Sequence, residues 1–167
     1  VPIKNLDSLI LVFQKLVLAN PENNLRLDII GDGPEKKKLQ KLVLSKGLVD
    51  KIRFLGFQDN VFSFLKESNV FVLPSFTEGS SVSLAEAMVQ GLPSIVTKNG
   101  GASEILGHSK SGILIDPYRP ESILKAMQDM IGFSPSHRNL MGLRAQKEAD
   151  RFSVEKYVKS LLEIYNN

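Results

Sequence analysis

Two carboxylates stand out by their surroundings. In Glu78-Gly79-Ser80-Ser81-Val82-Ser83-Leu84-Ala85-Glu86 they are eight positions apart. On one continuous helix that separation turns by about 80°, so the two would not share a face cleanly. The residues between them predict another geometry. Glu78 falls in a Gly/Ser-rich loop after a strand, a helix begins around Ser81 to Ser83, and Glu86 sits about one turn inside it. The free N–H groups of a helix start, preceded by small residues, hold phosphate through aimed donors and the helix dipole, an effect of about 0.3–1 kcal/mol per charge at exposed sites. Acids that touched the phosphates would repel them. They fit instead as acceptors for neutral hydroxyls at either end of a diphosphate, the pattern of a nucleotide sugar. The plainer alternative, a solvated loop acid and an exposed helix acid, is what spacing alone would favour.

A second glycine cluster, Asn99-Gly100-Gly101-Ala102-Ser103-Glu104, also lies between a strand and a helix, where doubly wound folds bind ligands. Glu104 has the simpler reading of an acid favouring a helix start. In Gly31-Asp32-Gly33-Pro34 a dinucleotide fingerprint fails, because Lys36 stands where the third glycine would fall. The turn reads as structural, with its backbone near a ligand. Lys4 offers a point charge for a phosphate, against the reading of a frayed, solvated terminal lysine. His108 and His137 have no acid or metal partner at useful spacing and read as structural or surface residues. No Ser-His-Asp order, H-E-x-x-H or P-loop lysine is present.

The elements that must position these residues alternate along the chain. Leu6, Leu9, Ile10, Phe13, Leu16 and Val17 recur at helical spacing, and Asn20-Pro21 ends that helix. Leu25 to Ile30 reads as a buried strand. A helix with Pro34 in its first turn then runs to about Lys46 and Gly47. Ile52 to Leu55, Val70 to Leu73, Ser94 to Thr97 and Ile113 to Ile115 are further strands. Helices are predicted at about Asn60 to Glu67, Ser83 to Gln90, Ala102 to Leu106, and Pro120 or Glu121 to Met130. A last helical stretch, about Ser136 to Tyr165, breaks near Phe152-Ser153. Apolar strands alternating with amphipathic helices predict an α/β fold, a doubly wound, Rossmann-like parallel sheet with helices on both faces. The chain opens on a helix where such folds open on a strand. In the order 3-2-1-4-5-6 that strand lies mid-sheet, so a first strand upstream of Val1 is expected, without which two inner strand edges lack partners.

The 167 residues suit one domain, spanning 1–167, and the 43% apolar and 23% charged content is that of a globular chain rather than a disordered or coiled one. The net charge of +3 is spread out; its one run, Lys36-Lys37-Lys38, reads as a solvated helix face without interleaved aromatics, which argues against nucleic acid as a partner. The absence of cysteine excludes disulfides, thiolate chemistry and zinc ribbons, and fits a reducing, cytoplasmic setting. No apolar run has the length of a membrane span, and no secretory signal pattern is present.

Taken together, Pro74-Ser75, Glu78-Gly79, Leu84-Ala85-Glu86-Ala87-Met88, Gly91-Leu92-Pro93, Gly100-Gly101 and Glu104-Ile105 resemble, in order and spacing, the retaining glycosyltransferases of the GT-B fold, family 4 in particular. The two acids match that family's E-x7-E motif. Ile30-Gly31-Asp32-Gly33-Pro34, Phe54-Leu55-Gly56 and Lys4-Asn5 match its GDGP, F-L-G and K-N segments, and Gly112 to Asp116 and Phe152-Ser153 to Tyr157 match looser landmarks. The resemblance covers nearly the whole chain, and the motifs are specific jointly rather than singly. It implies the donor-binding C-terminal domain, one half of a two-domain hexosyltransferase acting on a glycan or lipid-linked acceptor in polysaccharide biosynthesis. Lys4 would then contact the diphosphate, Glu86 the ribose hydroxyls, and Glu78, the catalytic position, the transferred sugar. Backbone donors from Ser80, Ser81, Val82 and Ser83, with Gly79, would hold phosphate and sugar oxygens. Gly31 and Gly33 would approach the donor, and Phe57 and Gln58 would lie against the base.

The same resemblance implies a nucleoside-diphosphate sugar, UDP favoured, with no metal and no further cofactor. It also implies an N-terminal acceptor domain as partner and peripheral membrane association of the full-length enzyme. The family's Arg would lie upstream of Val1, so this chain alone is expected to bind donor weakly and not to transfer sugar. The helix of residues 151–167 would pack on the acceptor domain; Val158, Leu161, Leu162 and Tyr165 are an expected self-association surface. A nucleotide-sugar epimerase domain and a non-catalytic α/β binding module are the alternatives.

Overall fold

Apolar side chains at positions 9, 10, 13 and 16 would line one stripe of a helix, and they do. The computed structural model of the chain describes residues 2–79, 81–106 and 110–150. A 3-10 turn, Pro2–Lys4, leads into α1, Leu6–Ala19, whose Leu9, Ile10, Phe13 and Leu16 are buried. There follow β1 (Leu27–Ile30), α2 (Lys36–Ser45), β2 (Ile52–Gly56), α3 (Phe62–Glu67), β3 (Phe71–Leu73) and α4 (Val82–Val89). The chain continues through β4 (Ser94–Thr97), α5 (Ala102–Leu106), β5 (Gly112–Ile115), α6 (Pro120–Gly132) and α7 (Pro135–Ala149). Val158, Leu161, Leu162 and Tyr165 of the expected terminal helix, and His108, lie outside the described residues. Among those described, no helix is long and apolar enough to cross a membrane.

All strand pairs are parallel. β1 pairs with β2, and β3, β4 and β5 form a second sheet with β4 at its centre. All four residues of β4 are buried, which requires cover on both faces. Alternation along the strand divides that cover. Ile95, with Ile115, packs into a core formed by α1 and α6, including Ile10, Phe13, Leu16, Ile123 and Met130. Val96, with Leu73, faces Leu84, Met88, Leu106 and Ala145 of α4, α5 and α7. Each fully buried Leu, Ile or Val contributes about 1.5–3 kcal/mol, so neither face can be stripped without loss of the domain. The α/β, doubly wound reading therefore holds. Among the described residues no ladder joins β1 to β3.

Several boundaries differ from the sequence expectations, for local reasons. Leu25 stays outside β1 because its N–H is taken by Asn23 O at 2.8 Å in a tight turn. Pro34 is not in the first turn of α2: Gly33 O accepts from Lys36 N at 3.1 Å, so Pro34 and Glu35 form a turn before the helix. α3 starts at Phe62 rather than Asn60, because Asn60 Oδ1 accepts from Phe62 N and Asn60 acts as a turn residue. The register slips between Ile29 and Ile30, which pair with Phe54 and Gly56 and leave Leu55 as a bulge.

The packing of α7 on α4 sets the rear of the site. Gly142 of α7 lies so close to the loop after α4 that a Cβ there would stand 2.0 Å from Gly91 O. Gln146 Nε2 donates to Val89 O at 3.2 Å, covering a terminal carbonyl of α4. A Gly→Ala change in an open helix stabilises by about 1 kcal/mol. Here the clash is with backbone that cannot rotate away, and overpacking costs about 1–3 kcal/mol. Gly142→Ala is therefore expected to lower stability by about 1–2 kcal/mol; a raised urea midpoint would show that the helices have room between them.

Candidate functional site

The described ends of β3, β4 and the 3-10 turn converge on Glu78. Lys4 is not frayed. Ile3 O accepts from Phe76 N at 2.8 Å, fastening the turn to the chain just past β3. Asn5 is 1% exposed, and its Nδ2 donates to Pro74 O at 3.1 Å and to Pro117 O at 2.9 Å. It thereby ties the start of α1 to the segments following β3 and β5. Its backbone is left-handed, φ 54°, a conformation that Asn tolerates better than most side chains. Its Oδ1 is buried without a donor among the described residues, a local cost set against the two bonds of Nδ2.

So anchored, Lys4 places its Nζ 2.7 Å from Glu78 Oε1. The same oxygen accepts from Ser75 Oγ at 2.5 Å. The Glu78 side chain is only 9% exposed, while that of Lys4 is 48% exposed. Glu78 is thus not a solvated loop acid. It is a nearly buried carboxylate with one oxygen doubly held, and Oε2 has no partner among the described residues.

The second glycine cluster seats this acid. Glu78 bridges Gly100 in parallel, and Gly101 N donates to Glu78 O at 2.9 Å. Asn99 Nδ2 donates to Phe76 O at 3.0 Å, closing the two loops on each other. Gly100 has φ +83°, and a Cβ on it would stand 1.9 Å from Glu78 O. The glycine is required by close backbone approach, a role that spacing alone does not disclose.

Beyond Glu78, α4 opens as expected. Ser81 is its N-cap, with Oγ accepting from Leu84 N at 3.3 Å and lying 3.2 Å from Ser83 Oγ. Val82 is 68% exposed although apolar, and Ser83 is exposed too. Among the described residues no acceptor takes the N–H of either. Their donors, with the positive end of the helix dipole, face outward. Glu86, one turn further, is half-buried and its carboxylate has no bonded partner among the described residues, so it is not the exposed helix acid of the plainer alternative. Gly79 is exposed, and Ser80 lies outside the described residues.

A second group gathers at the ends of β1 and β2. Gly31 N donates to Gly56 O at 2.7 Å, and the two glycines have φ +114° and +68°. Asp32 Oδ1 accepts from Gly33 N at 2.8 Å, and Lys36 Nζ lies 3.1 Å from Asp32 Oδ2. The backbone N–H first, and Lys36 second, hold the Asp32 carboxyl below its ordinary range. This turn is self-satisfied, in keeping with its structural reading. Phe57 follows Gly56 and is 75% exposed. Gln58 is turned back: its Nε2 donates to the bulged Leu55 O at 2.6 Å, so its amide N–H serves the loop.

The fold therefore joins Lys4 to Glu78 and places the start of α4 just after them in the chain. It keeps Gly31, Gly33, Phe57 and Gln58 with the other sheet. Ser75, Asn5 and Asn99 act on the site although none was among the residues expected to bind there. The signal for Ser75 was its place three residues before Glu78 at a strand end. Among the described residues no cluster of three or more acids or histidines could hold a metal ion. His137 stacks on Phe133, ring centroids 4.4 Å apart. Gly100→Ala combines the clash with backbone strain and is expected to cost about 2–4 kcal/mol in urea unfolding; a neutral result would mean that the Glu78 loop can move aside.

Against known proteins, residues 1–148 match the family model described as glycosyl transferases group 1. The N-acetyl-alpha-D-glucosaminyl L-malate synthase of Bacillus anthracis is 32% identical over 164 residues, covering 98% of this chain and 42% of that protein. The D-inositol 3-phosphate glycosyltransferase of Rhodococcus jostii (strain RHA1) is 28% identical, covering 98% of this chain and 38% of that protein. The chain thus spans less than half the length of these curated relatives. Among solved structures, Anabaena Alr3699/HepE in complex with UDP superposes with a TM-score of 0.87 at 23% identity, over 99% of this chain and 46% of that one. The same protein in complex with UDP-glucose gives 0.82 at 22% identity, with the same coverage of both chains. The likeness in structure fixes the GT-B fold, and by the match of its first 148 residues the chain belongs to the glycosyl transferases group 1 family.

Proposed function

We propose that this chain binds the nucleotide-sugar donor, a UDP-sugar, of a retaining hexosyltransferase. The observation that carries the reading is the nearly buried Glu78 carboxylate, held at one oxygen and without a partner at the other among the described residues, directly before the outward-facing N–H groups of α4. A diphosphate over those N–H groups would be met by aimed donors and a helix dipole, with Lys4 in reach as a mobile cation. Glu86 would accept from ribose hydroxyls, and Glu78 Oε2 from a hydroxyl of the sugar. Phe57 would offer its exposed ring to the base. Support comes from the family match and from HepE, which shares the fold and is seen with UDP and with UDP-glucose.

In transfer, the bond between the anomeric carbon and the diphosphate oxygen breaks, and the electron pair leaves with UDP. The acceptor hydroxyl oxygen bonds that carbon and its proton passes to an oxygen of the departing diphosphate, with the anomeric configuration kept. Charge grows on the departing diphosphate, where Lys4 and the start of α4 stabilise it; such preorganised donors are worth about 2.7–4 kcal/mol apiece in other enzymes. Metal is not needed for that role in this scheme. The chain spans less than half of its relatives, so acceptor binding and transfer are assigned to groups beyond those described here, along with the membrane association expected of a full-length enzyme.

Calorimetric titration of the chain with UDP and UDP-sugars tests the assignment. Glu86→Ala is expected to weaken UDP by about 1–3 kcal/mol, the cost of removing one buried hydroxyl acceptor. Unchanged affinity would remove Glu86 from the site. Glu78→Gln is expected to reduce the extra affinity of a UDP-sugar over UDP while leaving UDP itself nearly intact; equal losses for both ligands would make Glu78 a structural residue.

A further inference from the structure

Two donors share Glu78 Oε1, and they differ in kind. Ser75 Oγ stands 2.5 Å away on a side chain with one torsion, and Ser75 is 0% exposed. Its backbone is clamped on both sides, by Asn5 at Pro74 O and by Ile3 at Phe76 N. Lys4 Nζ stands 2.7 Å away on a flexible stem, with its side chain 48% exposed. A diphosphate carries more charge than one carboxylate, and a lysine ammonium is a point charge on a flexible stem that can turn toward it. The lysine is therefore the exchangeable donor, and the serine is the fixed one.

We propose that Ser75 is the positioning residue of this site: by occupying Oε1 it fixes the Glu78 carboxylate when Lys4 is drawn to the donor's diphosphate, and so presents Oε2 to a sugar hydroxyl. This rests on the donor-site reading above. Without Ser75, loss of the Lys4 contact would leave the carboxylate held by no described side chain. It could then rotate about its last torsions, and the hydroxyl would meet an acceptor without a set direction. The serine touches no ligand; it acts through Glu78.

The test is a set of titrations of the whole chain with UDP, UDP-glucose and UDP-N-acetylglucosamine, scored as the affinity of the tighter sugar nucleotide relative to UDP. Ser75→Ala is expected to lower that ratio about tenfold, the scale of one hydrogen bond to a charged group, with UDP affinity within about twofold of wild type. Ser75→Cys fills the same space with a poor donor and is expected to show the same loss, which separates the hydroxyl from packing. In a Glu78→Ala background, Ser75→Ala is expected to change the ratio no further. Lys4→Met is expected to weaken all three ligands by a common factor and keep the ratio. An unchanged ratio in Ser75→Ala or Ser75→Cys, a further drop in the Glu78→Ala background, or loss of the ratio in Lys4→Met would overturn the role of Ser75 alone. A wild-type chain that binds none of the three, or binds both sugar nucleotides no better than UDP, would overturn the donor-site reading and this inference with it.

Discussion

The site depends on one buried carboxylate. Glu78 is nearly enclosed, and an ionised acid in that position is costly unless its oxygens are paired. The pairing comes from both ends of the described chain's first half: Ser75, three residues upstream, and Lys4, seventy-four residues upstream. The Lys4 contact could not form unless the 3-10 turn were laid against the end of β3. Asn5 and the Ile3–Phe76 bond lay it there. The backbone of Glu78 is fixed in turn by Gly101 and by the closeness that Gly100 alone permits. Strand ends, glycine loop and helix start thus form one unit that fixes the place of the acid.

That arrangement explains the otherwise uneconomic features nearby. A left-handed Asn5 and an exposed Val82 at a helix start each carry a local cost, as do Asn5 Oδ1 and a half-buried Glu86 that lack partners among the described residues. Such disagreement between local rules and the fold is what a site built on a scaffold stabilised elsewhere would show, and it supports the proposed donor site. The scaffold is ample: β4 sends Ile95 and Val96 into separate cores, and these two faces hold the strand ends rigid beneath the loops. In the other sheet, Gly31, Asp32 and Gln58 spend polar groups on their own turn, and the Phe57 ring is exposed.

Much of this was legible in the residues. Helical spacing marked α1, continuous apolar runs marked the strands, and Gly47 and Gly91 marked helix ends, since both have positive φ. The misreadings were all local competitions. Pro34 is compatible with a helix start, but a turn from Gly33 to Lys36 takes it up before the helix begins. Asn60 was counted with α3, but its side chain bonds Phe62 N from outside the helix. For the Asn99-Gly100-Gly101 loop, its place between a strand and a helix did not disclose the close contact of Gly100 with Glu78.

By itself the sequence determined what depends on neighbours in the chain: the periodicity of each element, the positive-φ turns, the small residues before α4 and the Ser81 cap. These follow from backbone sterics and short-range hydrogen bonds, which act over a few residues. Only the tertiary structure decided that Lys4 meets Glu78, that Gly100 must lack a side chain, and that Ser75 is buried beside the acid. Those facts arise where strands paired in register bring distant loops to one end of a sheet, and no local spacing encodes the distance between them.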